Sequence, residues 1–231
     1  MKKFAGWALL ALLAAGTLCC LWLTPGGAED AFVPVRSGGR TLVLDAGHGG
    51  EDGGAVSPSG AVESGLNLAI VGRLDQLLGL YGEAPVLLRS EDVSLHDGSA
   101  TTLREKKVSD LHNRADRVAA TENAVLLSVH QNTYPDSRYH GAQVFYAAGA
   151  ESQALAEGTQ EILRAALDPE NSRQAKPIPD SVYLLNHVSC PAILVECGFL
   201  SNPEEEARLR SDGYQRKLAA ALTAAWLRWL E

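Results

Sequence analysis

Two short apolar runs that each lead into a lone histidine constrain this chain more than any other feature. Thr41-Leu42-Val43-Leu44 runs into Asp45-Ala46-Gly47-His48-Gly49-Gly50, and Val125-Leu126-Leu127-Ser128-Val129 runs into His130-Gln131-Asn132. Apolar residues at successive positions leave a strand no solvent face, so both runs read as strands covered on two sides. Each histidine would then stand just past a strand end, where open α/β sheets place their ligands.

The rest of the chain alternates in the same sense. Leu66, Ile70, Leu74, Leu77, Leu78 and Tyr81 recur at helical spacing, which predicts a helix beginning near Glu63. Residues 84–88 read as a second strand and residues 90–102 as a polar loop. A charged helix follows, with an apolar stripe of Val108, Leu111, Ala115, Val118 and Ala119. After the loop 134–140, residues 142–147 read as a strand and Leu155, Ile162, Leu163 and Ala166 as a helix ended by Asp168-Pro169. Residues 171–180 carry two prolines and no period, so they read as a loop. The last strand, residues 192–196, ends at Glu196. Ser201-Asn202-Pro203-Glu204-Glu205-Glu206 then supplies a polar cap, a first-turn proline and acids to open a helix. The final helix turns Tyr214, Leu218, Ala221, Leu222, Ala225 and Trp229 inward. The expected fold is a single α/β domain, a twisted and mostly parallel sheet flanked by helices on both faces.

That domain is expected over residues 38–231, because the first 30 residues have another character. Phe4 to Leu23 is an uncharged, mostly apolar stretch preceded by Lys2 and Lys3, which serves equally as a cleaved signal peptide or a retained membrane anchor. Either places the remainder outside the cytoplasm, as an exported protein that touches the membrane only if the segment is kept. The chain's formal charge is −8, and it is more negative still beyond Ala28, since Lys2 and Lys3 are the only charged residues up to that point. An acidic domain is a poor partner for nucleic acid, whose phosphates need clustered cations. Outside the leader the only cysteines are Cys190 and Cys197. They read as small core residues, with a disulfide after export as the alternative.

A hydrolytic zinc site takes three protein ligands, imidazole and carboxylate among them, and leaves a position for water. His48, Glu63 and His130 supply that count from three different elements. Gly47, Gly49, Gly50, Gly53 and Gly54 would let the chain turn sharply beside a metal. Cleaving an amide also needs a group to move protons, and Glu196, a charged residue closing an apolar strand, is the candidate. Taken singly, each has a plainer reading: a glycine-turn histidine, a dipole partner at a helix start for Glu63, a structural ion pair for Glu196. Asp45 is placed either to orient His48 or to cap nearby amides. His96, His112, His140 and His187 have no comparable context and read as surface groups or as supports behind the ligands, and Arg104, Lys106 and Lys107 as a solvated helix face.

Four segments narrow these alternatives when taken together. Residues 44–50, residues 60–68 (Gly60-Ala61-Val62-Glu63-Ser64-Gly65-Leu66-Asn67-Leu68), residues 128–132 and residues 195–202 (Val195-Glu196-Cys197-Gly198-Phe199-Leu200-Ser201-Asn202) resemble, in order and spacing, the zinc-dependent N-acetylmuramoyl-L-alanine amidases of bacterial cell walls. The resemblance runs from about Arg40 to the C-terminus. Ala46 stands where many relatives have proline and Ser64 where lysine is common, neither at a ligand position. Residues 139–146 and 182–185, with the short leader-bearing form, are most similar to the spore cortex type of the family.

The resemblance implies Zn2+ held by His48, Glu63 and His130, Glu196 as the catalytic acid and base, and peptidoglycan as substrate. For the cortex type it implies peptide removal that prepares muramic acid for conversion to muramic-δ-lactam, in the forespore intermembrane space, in a spore-forming Gram-positive. An unidentified accessory protein is left open as a partner. Competing functions are a vegetative wall amidase, a zinc peptidase cutting between peptide residues, and a metal-stabilised wall-binding scaffold without turnover.

Overall fold

The computed structural model describes residues 39–231. The expected leader and the start of the expected domain at residue 38 lie outside the described residues, among which no helix is long and apolar enough to cross a membrane. The elements are β1 (Thr41–Ala46), α1 (Glu63–Leu80), β2 (Val86–Leu87), α2 (Leu103–Ala119), β3 (Ala124–Asn132), β4 (Gln143–Tyr146), α3 (Ala150–Leu167), β5 (Lys176–Pro177), α4 (Tyr183–His187), β6 (Ala192–Phe199), α5 (Pro203–Leu209) and α6 (Asp212–Trp229). They build one six-stranded sheet in the order β2-β1-β3-β6-β4-β5. All neighbouring strands are parallel except β4 and β6. This is the expected mostly parallel α/β fold.

Period-two alternation along the central strands divides the core into two layers. Leu44 of β1, Leu127 of β3 and Val195 of β6 face α1, α3 and α6, against Leu74, Leu163 and Leu222. Val43, Leu126 and Leu194 face the other way, against Val118 of α2 and Leu184 and Leu185 of α4. Leu44 and Leu74 are wholly buried, and truncating either to alanine removes about 2–5 kcal/mol. The same alternation puts Asp45, Ser128, His130 and Glu196 on the α2/α4 side. In register, Asp45 lies opposite Ser128 and His130 opposite Glu196.

Several elements depart from the sequence expectation, each for a physical reason. β3 continues to Asn132 and β6 to Phe199, so His130 and Glu196 lie inside paired strands, and neither follows nor closes one. Between His130 and Asn132 the register slips, β6 carrying one more residue than β3, a bulge of the kind common beside active sites. The α2 face is rotated: Val108 and Ala119 are exposed while Asp110 and Arg114 are buried with Ala115 and Val118. In α6 it is Trp226 that fills the core, with Trp229 part-buried and stacked on it at 5.6 Å. Tyr81 is exposed beyond α1. Residues 176–177, expected as loop, pair with β4, and residues 183–187 form the one-turn α4, too short to show a period. The polar start of α5 is as expected, with Asn202 Oδ1 accepting from the Glu204 and Glu205 amides at 3.0 Å.

Candidate metal centre

Three ligand atoms meet at the C-terminal ends of the central strands. His48, Glu63 and His130 each offer one donor, all within 4.8 Å of one another. His48 Nε2 is 3.4 Å and His130 Nδ1 2.9 Å from Glu63 Oε1, and the two imidazoles stand edge to face with centroids 5.0 Å apart. These three candidates come together as expected, and Glu196 joins the two histidines in lining a cavity of about 240 Å³ walled by α2 and α4.

Each donor is positioned by its local chain. His48 takes a φ of 62°, a left-handed conformation rare for a side chain that is not glycine and typical of functional turns. Its Nδ1 faces Asp52 Oδ2 at 3.0 Å, which leaves Nε2 turned toward Glu63. Lys107, 3.3 Å from the same Asp52 oxygen, is thus part of the site's rim. A Cβ at Gly47 would collide with the His130 ring, and one at Gly54 would fall 2.5 Å from Glu63 Oε2 and 2.6 Å from His48 Cδ2. Glu63 opens α1 without capping it. Its Oε2 accepts from the Ala55 amide at 2.8 Å, and its Oε1 from the Gln131 amide at 3.1 Å and Asn67 Nδ2 at 3.3 Å.

Behind the donors lies a buried frame that sequence reading missed. Arg89 donates to the carbonyls of Ala46, Gly47 and Ser64 at 2.7, 3.1 and 2.8 Å. Arg114 donates to the carbonyls of Ala46 and His48 at 3.1 and 2.8 Å and is paired with Asp45 and Asp110. Two guanidiniums therefore fix the turn that carries His48. Asp45 hydrogen-bonds neither His48 nor a backbone amide; it accepts from Ser128 Oγ at 2.6 Å and pairs with Arg114, which in turn holds the His48 carbonyl. Orienting His48 falls to Asp52. The signal for the frame was weak: Arg89 directly follows a predicted strand, and Arg114 adjoins Ala115 on the inward stripe.

The electrostatics separate the two glutamates. Burial works against ionising Glu63, but the hydrogen bonds of His130 and then His48 outweigh it and hold its carboxyl far below the usual range. Burial pushes Glu196 up to about 7, and the attraction of His130 offsets this only in part. Glu196 Oε2 is buried and has no hydrogen-bond partner. For His48 burial opposes the proton, but Glu63 and Asp52 more than restore it. Two imidazole nitrogens and a carboxylate oxygen gathered within 4.8 Å of one another are a fitting donor set for a borderline divalent cation. A carboxyl titrating near neutrality beside them is suited to passing a proton in either direction. His96, His112, His140 and His187 lie outside this group: His96 Nδ1 is 2.9 Å from Ser94 Oγ, His112 and His187 pack on Tyr183, and His140 pairs with Asp168. Cys190 and Cys197 are both free thiols, Cys197 in the core.

Comparison with known proteins bears on the reaction. Residues 42–227 match the family model described as N-acetylmuramoyl-L-alanine amidase. The chain is 34% identical over 232 residues to the germination-specific N-acetylmuramoyl-L-alanine amidase of Bacillus subtilis (strain 168), covering 99% of this chain and 96% of that protein. Among solved structures it is similar to the CwlD amidase of Clostridioides difficile, determined in complex with the GerS lipoprotein, with a TM-score of 0.79 and 36% identity over 83% of this chain and 98% of that one. An N-acetylmuramoyl-L-alanine amidase from Clostridium difficile 630 gives a TM-score of 0.72 and 27% identity over 84% and 98%.

Proposed function

Since the chain belongs to the N-acetylmuramoyl-L-alanine amidase family and is an amidase of peptidoglycan, we propose that it hydrolyses the amide between the lactyl group of N-acetylmuramic acid and L-alanine in a zinc-dependent reaction. His48 through Nε2, His130 through Nδ1 and Glu63 through Oε1 would hold the ion. Bound there, zinc supplies a Lewis acid for the carbonyl and lowers the pKa of water toward about 7. Glu196 takes a proton from the attacking water and returns one to the departing amine, work worth roughly 100-fold to 10,000-fold in rate. Oxygen adds to the lactyl carbonyl carbon, the C–N bond breaks, and the products are a lactyl carboxylate on the glycan and a free α-amine on the stem peptide. Arg114 and Arg89 keep the His48 turn from moving as charge shifts, and Asp52 keeps its ring oriented.

The observation that carries this reading is the meeting of the three donors beside Glu196, whose partnerless Oε2 lies on the same face of the sheet. Mass spectrometry of peptidoglycan digested by the purified, zinc-loaded chain tests it. Glycan strands with free lactyl carboxylates and intact stem peptides are expected. Cuts between peptide residues would make the chain a peptidase, and binding without cleavage a scaffold.

The biological substrate we assign is spore cortex, where peptide removal prepares muramic acid for δ-lactam closure after a separate deacetylation. Full-length similarity to a germination-specific amidase supports this, and the chain would act after export. By analogy with the relative solved with a lipoprotein, an accessory lipoprotein is the expected kind of partner. Spores lacking this chain should then lack muramic-δ-lactam. A growing-cell lysis or separation defect with normal cortex would instead assign it to the vegetative wall.

A further inference from the structure

The loop of residues 133–142 joins β3 to β4, and β6 lies between those strands in the sheet. The loop must therefore cross the C-terminal end of β6, the strand that carries Glu196. It is fixed there by three bonds: Tyr134 N to Ser201 Oγ at 3.0 Å, Asn202 Nδ2 to the Ser137 carbonyl at 2.9 Å and Gly141 N to Glu205 Oε1 at 2.9 Å. The loop presents two aromatic rings, Tyr134 and Tyr139, with centroids 4.3 Å apart and tilted by 46°. Beneath them Phe199 is 3% exposed, and the Arg173 guanidinium lies 4.7 Å from the Phe199 ring and 5.9 Å from that of Tyr139.

Tyr134 and Tyr139 nevertheless remain 48% and 43% exposed. Single exposed apolar residues are ordinary, but two rings packed against each other on a pinned loop form a built surface. Phe199 is three residues beyond Glu196, which at about 3.3 Å per residue puts it within about 10 Å along the strand, and the Tyr139 ring centroid is 6.2 Å from that of Phe199. Flat rings with a hydroxyl at the edge suit a ligand with apolar C–H faces and a rim of hydroxyls, which is the character of a pyranose.

We propose that Tyr134 and Tyr139 form a stacking subsite for sugar rings of the glycan strand next to the muramic acid whose amide is cut. This rests on the amidase reading above and adds to it a preference for long strands over isolated muramyl peptides.

The test compares the full zinc-loaded chain with its Tyr134→Ala/Tyr139→Ala variant on two substrates, long peptide-bearing glycan strands and N-acetylmuramoyl-L-alanyl-D-isoglutamine. KM on long strands should rise about tenfold with kcat retained, so that the long-to-short ratio of kcat/KM falls about tenfold. The Tyr134→Phe/Tyr139→Phe variant, which keeps the rings, should recover most of the ratio. An unchanged ratio overturns the subsite, and so does an equal fall on both substrates. A response that tracks peptide cross-linking instead of strand length overturns it as well, by making the ring pair a peptide contact. Sedimentation with peptide-free glycan strands, using Glu196→Gln protein with and without the tyrosines, separates this claim from catalysis. Loss of co-sedimentation on removing the rings supports the subsite even if the parent cleaves neither substrate, a result that would fall on the amidase reading alone. Equal co-sedimentation with and without the rings refutes the subsite.

Discussion

Glu63 and Glu196 reach the site from different elements, and the fold treats them differently. Glu63 opens a helix, and both its oxygens are engaged: two imidazoles, two backbone amides and Asn67 Nδ2 are aimed at it. Glu196 stands inside a buried strand, and its Oε2 accepts nothing from the protein. The amides and Asn67 fix the carboxylate's place, and the two imidazole nitrogens facing Oε1 mark where a cation would sit in place of their shared proton, which suits the ligand role proposed for Glu63. Leaving one oxygen unsatisfied in a buried cavity raises its proton affinity toward neutrality, which suits the proton-transfer role proposed for Glu196. The same sheet thus builds a rigid half and an unsaturated half within one site.

Substitution of each half in turn should break this contrast most sharply. Glu196→Gln should lower kcat by about 1,000-fold while zinc content and affinity stay within a fewfold of the parent. His130→Ala should lose activity and zinc together, and His112→Ala neither. Metal analysis alongside turnover reads all three. Comparable zinc loss in Glu196→Gln and His130→Ala would mean that the division of labour is misassigned.

The next largest effect is expected in the frame behind the rigid half. Arg114→Met leaves Asp45 and Asp110 without their shared cation and the His48 carbonyl without its donor. Removing one member of a buried ionic cluster costs about 3–5 kcal/mol, which urea unfolding should show as a lowered midpoint at unchanged slope. A loss below about 1 kcal/mol would show that Arg89, the glycines and Asp52 hold the turn without Arg114.

The two halves also differ in how far the sequence discloses them. The donors were legible because their signals are local: an apolar run, a glycine turn and a helical period are each read within a few residues of His48, Glu63 and His130. Glu196 was legible as a charge inside an apolar strand, although the extent of that strand was not. The frame is built from pairs far apart in sequence, such as Arg114 with Asp45 and Arg89 with Ala46. Local hydropathy cannot show that a charged residue on a helix will find its counter-charge across the sheet. That also explains the rotated stripe of α2. A face chosen by apolarity alone buries Val108 and Ala119, whereas the real face turns toward the buried charge of Asp45 and carries Asp110 and Arg114 inward. The pairing of Tyr134 with Tyr139 escaped for a related reason, since an exposed tyrosine in a polar loop acquires meaning only when another packs against it.

A smaller effect sharpens the comparison through its sign. In metal-free protein the folded pKa of Glu63 is depressed, so its contribution to stability is present above the unfolded value of 4.5 and is lost as pH falls through the folded pKa. Glu196 is raised from 4.5 to about 7, so its contribution is fully present below 4.5, falls as the unfolded carboxyl ionises above 4.5, and is lost as pH rises through 7. Glu196→Gln removes that ionisation. The metal-free variant should therefore be more stable than the parent at pH 8, by at most about 3 kcal/mol, with the advantage shrinking as pH falls to 5. Thermal melts of both proteins at the two pH values, in chelator, measure it. A gain equal at both pH values would trace the effect to packing, and a loss at pH 8 would mean that the Glu196 carboxylate is stabilised by a partner absent from the arrangement described, so that the unsaturated half would not be unsaturated at all.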